Sequence, residues 1–194
     1  MENDNTSYGW TMTAIETIEE RASPPRLDTP APDREALDAI LRAGMRAPDH
    51  GRMNPWRFVV IEGDKRAAFA EILIASLKRR KPGGGDEALA AESRKAFRAP
   101  LIVTVAARVL REHKVPEIEQ VLAVGAAVQN MILAAHELGF SAMWKTGPAA
   151  YDPEVKLALG LQADDHIVAF LYLGTPTAPG APRQKPSEHL VIHL

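Results

Sequence analysis

The chain reads as one domain in which helices cover a β-sheet. Three observations predict this. Runs rich in β-branched and aromatic residues recur at 56–61, 100–106, 141–144 and 166–173, each bounded by turn residues, as strands require. Between them lie longer stretches whose apolar residues repeat at helical spacing. A length of 194 residues suffices for a single core burying roughly 70% of the unfolded surface without disulfides or metals. No internal repeat or second-domain boundary interrupts the pattern.

Residues 1–11 are polar and acidic; they read as a disordered tail before a domain spanning 12–176, with Met12 a candidate native start. Thr13-Ala14-Ile15-Glu16 has the form of a capping box, and Ile15 and Ile18 give the helix an apolar edge, so a first helix should run to about Arg21. Ser23 to Leu27 then form an extended connector. Pro32-Asp33 supplies an N-cap for a helix marked by Leu37, Ile40, Leu41 and Met45, which should stop near Arg46. Pro48 and Pro55 make the next segment irregular. Trp56 to Ile61 reads as a buried strand closed by Glu62-Gly63-Asp64.

Phe69, Ile72, Leu73 and Leu77 mark another amphipathic helix, which runs out in Lys78-Arg79-Arg80-Lys81 before Pro82-Gly83-Gly84-Gly85. The glycine run suits a flexible hinge or lid. A short polar helix from Asp86 to Phe97 leads to a strand over Pro100 to Ala106. Glu117 to Leu138 is the longest helix and apolar on most sides, with Gly125, Ala126, Ala127, Ala134 and Ala135 permitting close backbone approach; it reads as the central buried helix. Ser141 to Trp144 is a short strand, and Asp152-Pro153 caps a brief helix ending at Gly160. His166 to Leu173 is a strongly apolar strand closed by Gly174-Thr175-Pro176. Residues 177–194 form a Pro/Ala/Gly-rich arm and a terminal strand, Leu190 to Leu194, placed for exchange with another subunit.

Composition narrows the chemistry. With 23 basic and 25 acidic residues the net charge is −2, which gives no electrostatic drive toward nucleic acid or anionic membranes. There are no cysteines, so disulfides, thiolate nucleophiles and Cys-ligated metals are excluded, and any redox chemistry must be borrowed from a cofactor. No stretch reads as the roughly 20 apolar residues that span a bilayer, and the start lacks the form of a signal peptide, so the cytoplasm is the default. Neither G-x-G-x-x-G nor G-x-x-x-x-G-K-[ST] occurs, the six histidines show no metal-ligand spacing, and no G-x-S-x-G elbow is present, which leaves anion and ring recognition.

Arg21, Ser23 and Arg26 place two guanidinium groups and a hydroxyl just past a helix, a set suited to phosphate; the same arginines would equally complement a helix C-terminus. Arg46 faces the same alternative, and His50 reads also as a surface histidine. Trp144-Lys145-Thr146-Gly147-Pro148 is either the end of a strand that aims backbone N–H groups at a planar ligand or a core tryptophan followed by an ordinary turn.

Arg46-Ala47-Pro48-Asp49-His50, Pro55-Trp56-Arg57-Phe58-Val59-Val60, Phe97-Arg98-Ala99-Pro100-Leu101-Ile102-Val103, His113-Lys114-Val115-Pro116 and Phe170-Leu171-Tyr172-Leu173-Gly174-Thr175-Pro176 together resemble, colinearly from about Met12 to Pro176, the short bacterial NAD(P)H nitroreductases. The resemblance implies an α+β, nitroreductase-like FMN-binding fold, with a central mixed β-sheet surrounded by helices, in an intertwined homodimer. It implies an FMN at each interface, contacted by Arg21, Ala22 and Ser23 of one subunit and by Arg46 and His50 of the other, with Trp144, Lys145 and Thr146 beside the isoalloxazine. It also implies that Ala134, Ala135, His136, Glu137, Leu138 and Gly139 meet NAD(P)H, and that hydride passes through FMN to a small electron-poor acceptor such as a nitroaromatic or quinone. The alternatives for this chain are a flavin reductive dehalogenase or flavin destructase, both of which occur on related folds, or a protein that binds FMN without turnover. Ala22, Pro25, Arg52 and Asn54 depart from the residues usual in the family. Arg183 and Lys185 on the arm are further cations, matched to no motif.

Overall fold

A computed structural model describes residues 13–178, Gly180 and Ile192; the tail, most of the C-terminal arm and the expected strand over 190–194, with Arg183 and Lys185, lie outside the described residues. The first helix, α1 (Ala14–Glu20), begins on the expected capping box, Thr13 Oγ1 accepting from Glu16 N at 3.2 Å and Glu16 Oε2 from Thr13 N at 2.7 Å. The connector includes a two-residue strand, β1 (Leu27–Asp28). Helix α2 (Arg34–Gly44) starts on the Asp33 cap, whose carboxylate accepts from Ala36 N at 2.9 Å. Then follow β2 (Trp56–Glu62), α3 (Lys65–Arg80), α4 (Asp86–Ser93), β3 (Leu101–Ala107), α5 (Glu117–Glu137), β4 (Ser141–Lys145), α6 (Pro153–Ala158) and β5 (His166–Pro176). A 3-10 turn at Arg94–Phe97 extends α4.

The strands form one sheet in the order β1-β5-β3-β2, with β4 also paired to β5. Every pairing among the described residues is antiparallel, so the parallel component of a mixed sheet is not found in them. Strand β3 is buried throughout because both its faces are covered. Leu101, Val103 and Val105 join Ile40 of α2 and Val124, Val128 and Met131 of α5. Ile102 and Ala106 join Phe69 and Leu73 of α3 and Val155 of α6. The two-residue side-chain period of a strand thus feeds two helical layers.

Two expectations need correction. Among the described residues strand β2 pairs with β3 alone and lies at the sheet edge, half-buried rather than buried; a β-branched run states strand propensity without stating position. The glycine run is a turn joining α3 and α4, which pack on one another, with Gly84 N donating to Lys81 O at 3.1 Å. Helix α5 is buried along one face only: Ile118 and Leu122 are 61% and 62% exposed. It is also long and apolar enough to cross a bilayer by length and composition, where no such segment was expected, but its packed face belongs to the core of the sheet.

Helices α2 and α5 meet at backbone distance. A Cβ on Gly44 would stand 2.8 Å from Met131 Cγ and 3.5 Å from Ala127 O. Arg46, two residues on, is positioned by that contact.

Candidate functional site

Arg21 caps the C-terminal end of α1, its N–H still bonded to Thr17 O at 3.1 Å, and turns the chain into extended backbone. Its side chain is buried, 8% exposed, yet Nη1 donates to Ser23 Oγ at 3.2 Å while Nε is buried with no partner among the described residues. A buried guanidinium with an unused donor costs free energy unless an acceptor arrives, and the helix-end alternative supplies none. Ala22 stands half-exposed between them, and a Cβ on Gly180 would come within 2.3 Å of Ala22 Cβ; the start of the arm crosses this loop where only small residues fit. Arg26 is exposed.

Arg46 is exposed just past α2. It lines a groove of about 470 Å³ with Thr17, Asn130, Ala134 and Glu137. The loop after it is more ordered than an irregular segment. It makes a 3-10 turn at His50–Arg52, and Gly51, Arg52 and Asn54 have φ of 77°, 52° and 50°. Left-handed angles suit glycine and are tolerated by asparagine, but strain an arginine. Asp49 Oδ2 holds the turn by accepting from Asn54 N at 2.7 Å, and Asn54 Nδ2 donates to Arg52 O at 3.1 Å. His50 Nδ1 meets Glu119 Oε2 at 2.5 Å, which ties the loop to the first turn of α5. The roles of Asp49 and Glu119 were not visible in the sequence, because both are set by the return of the chain.

At the end of β4 the tryptophan is not a core residue. Trp144 is 40% exposed, its Nε1 donating to Val168 O at 2.8 Å. Lys145 and Thr146 are exposed, and Gly147 takes φ of 88° to turn the chain. Thr146, Gly147 and Pro148 form the shared wall of two hollows. One, about 210 Å³ and partly enclosed, is also lined by Glu92, Lys95, Arg98, Lys145, Phe170 and Tyr172. The other, about 850 Å³ and open, is also lined by Arg79, Arg80 and Tyr151.

Glu92, Lys95 and Tyr172 are site candidates that sequence reasoning missed. Glu92 is buried, its Oε2 accepting from Lys95 Nζ at 2.6 Å, with Arg80 Nη2 3.9 Å from Oε1. That Oε1 has no hydrogen-bond partner among the described residues. Burial, outweighing the nearby Arg98, pushes the Tyr172 phenol up to about 12, so it stays a neutral donor at neutral pH. The only sequence signal was the i, i+3 spacing of Glu92 and Lys95 within a polar helix, where exposure is the ordinary reading.

The segment from Ala134 to Gly139 is the C-terminal end of α5, and helical periodicity splits it. Ala135 is fully buried in the core. Ala134 and Glu137 face the Arg46 groove, where Thr17 Oγ1 donates to Glu137 Oε2 at 3.2 Å. His136 is half-buried, its Nε2 without a partner, and Leu138 is 43% exposed. Gly139, at φ 81°, ends the helix. A helix C-terminus carrying Glu137 is electrostatically wrong for phosphates. Of the expected contacts, the fold brings Lys145 and Thr146 to one hollow and Arg46 to another; none of the three hollows joins these to Arg21–Ser23.

The nitroreductase family model matches residues 18–175. An Escherichia coli K12 protein named "Putative NAD(P)H nitroreductase YdjA" is 46% identical over 165 residues, covering 85% of this chain and 89% of the relative. A Haemophilus influenzae protein named "Putative NAD(P)H nitroreductase" is 33% identical over 165 residues, covering 84% and 89%. Among solved structures, a nitroreductase-like family protein from Bacillus cereus superposes with a TM-score of 0.82 at 20% identity, covering 97% of this chain and 98% of that one. A protein from Desulfovibrio desulfuricans described as a "putative nitroreductase in complex with fmn" gives 0.74 at 29% identity, covering 95% and 98%.

Proposed function

Because this chain belongs to the nitroreductase family, we propose that it is an FMN-dependent NAD(P)H oxidoreductase acting on small electron-poor acceptors such as nitroaromatics or quinones. The observation that carries the reading is the buried Arg21 guanidinium beside Ser23, with one donor unused; this is a fit for a phosphate. FMN at this site would supply the two-electron relay a cysteine-free chain lacks, so that NAD(P)H, a quinone and a proton become NAD(P)⁺ and a hydroquinone.

The chain's own residues supply position and electrostatics. Arg21 and Ser23 would hold the phosphate, with Ala22 lending backbone and Arg46 and His50 reaching in from a second copy. Lys145, Thr146 and the turn at Gly147 would border the isoalloxazine beside Trp144. In the enclosed hollow, the unmatched Glu92 Oε1 suits a ring N–H, and Lys95 and the neutral Tyr172 suit ring oxygens. NAD(P)H and the acceptor would enter in turn from the open side of Thr146–Gly147, rather than along the end of α5.

A homodimer completes this reading. Ile118 and Leu122 lie one turn apart on the uncovered face of α5, with the half-exposed Gly125 and Ala126 beyond them, an apolar stripe that a second α5 would bury. Glu119, which holds His50, stands on the same helix. Purified protein should carry flavin absorbance and oxidise NADH or NADPH when a quinone is added; protein that holds no flavin, even after incubation with FMN, overturns the reading.

A further inference from the structure

The open groove beside Thr146–Gly147 contains an aromatic ring with no structural duty. Tyr151 is 75% exposed, although leaving a large ring in water forgoes the stabilisation of burying it. Its mounting is rigid. Ala149 and Ala150 are buried at 4% and 2%, Ala150 N donates to Gly147 O at 3.0 Å, and Asp152 N to Ala149 O at 3.3 Å. Asp152 then caps α6 through Glu154 N at 2.9 Å and accepts from Arg79 Nη2 at 2.8 Å. Both sides of the ring's support are fixed.

The groove is about 850 Å³, within the range of sites that take drug-sized ligands and far larger than a single ring needs. Pro148, Tyr151 and Pro153 give it flat apolar walls; of the charges on its rim, Arg79 is paired with Asp152 and Arg80 stands 3.9 Å from Glu92, while Glu154 opposes the two arginines in sign. With both signs on the rim, the apolar walls between them suit a planar ligand without strong net charge.

We propose that Tyr151 is a specificity-determining residue: the aromatic body of the electron acceptor stacks on it while the reducible end reaches Thr146–Gly147, so that fused bicyclic acceptors are favoured over single rings. This rests on the oxidoreductase reading above. The step balances as menadione, NAD(P)H and a proton giving menadiol and NAD(P)⁺.

Menadione and 1,4-benzoquinone test it in the flavin-loaded protein, in Tyr151→Ala and in Tyr151→Phe. Comparing each quinone across variants cancels their different potentials. Tyr151→Ala should raise KM for menadione about 3- to 10-fold, the scale of one lost aromatic pair, with a smaller change for benzoquinone, and Tyr151→Phe should restore the original values. Calorimetric titration with 2-naphthol, which is not reduced, reads the groove without turnover. Naphthol binding weakened by Tyr151→Ala supports the groove even in a protein that proves flavin-free, an outcome that sinks the oxidoreductase reading alone. Equal KM changes for both quinones, naphthol binding indifferent to Tyr151, or dissociation of a dimer by Tyr151→Ala overturns the inference.

Discussion

The Arg21–Ser23 loop and the Thr146–Tyr151 turn present opposite kinds of surface. At the first, a cation is buried with an unused donor, and the start of the C-terminal arm passes over Ala22. At the second, backbone and a tyrosine ring stand open above two hollows. Under the proposed function the contrast would divide the labour of a cofactor enzyme, the covered end suited to retention and the open end to exchange of reactants.

Arg21→Ala should break the contrast most severely, weakening FMN binding by about 1.5–3 kcal/mol, the scale of a charged hydrogen bond; equilibrium titration with FMN checks it, and unchanged affinity would remove the phosphate role. Leu122→Glu should follow in size. If Arg46 and His50 serve the other copy's cofactor, sedimentation should show monomers and flavin retention should fall with them; a flavin-bound monomer contradicts the shared site. Glu92→Gln keeps shape but removes the charge beneath Thr146, and should cost about 0.5–1.5 kcal/mol of FMN affinity through one neutralised hydrogen bond. Its loss should be nearly independent of salt, whereas affinity contributed by the exposed Arg46 should decline as ionic strength rises.

The smallest effect concerns acid. Burial raises the Asp152 carboxyl, but hydrogen bonds from Ser76, Arg79 and Glu154 N outweigh it and leave the group below its ordinary value. A depressed carboxyl contributes stability above its unfolded pKa, and that contribution is lost as pH falls through the folded one. Arg79 is 44% exposed, so solvent screening limits the gain to a few tenths to about 1 kcal/mol. Thermal melts of Asp152→Asn should therefore lie below those of the unsubstituted protein at neutral pH and converge with them in acid; a gap that persists below the carboxylate range would assign the loss to packing.

The parts legible in the sequence were those with local causes. The Thr13–Glu16 capping box, the Asp33 cap and the Gly160 stop each depend on a few adjacent residues, and each appears where expected. The parts that escaped depend on what another segment covers. Helical spacing cannot say whether a second layer lies over Ile118 and Leu122, nor that Ala135 turns inward while Ala134 faces a groove. A strand's composition did not show that β2 would lie at an edge. The site divides in the same way. Arg21, Arg46 and Thr146 were legible as candidates from residue type at element ends, but the burial of Glu92 follows from the packing of α3, α4 and β5, and nothing within its own helix announces it.

Gly44 touches none of these hollows, yet its missing methyl group sets where Arg46 stands. A side chain there must displace the Met131 side chain, and the packing of α2 on α5 would change with it. In a saturation scan for flavin retention, Gly44 would therefore score like a ligand residue. Maps of tolerance drawn from such scans will trace the scaffold's spacing rules as faithfully as they trace contact.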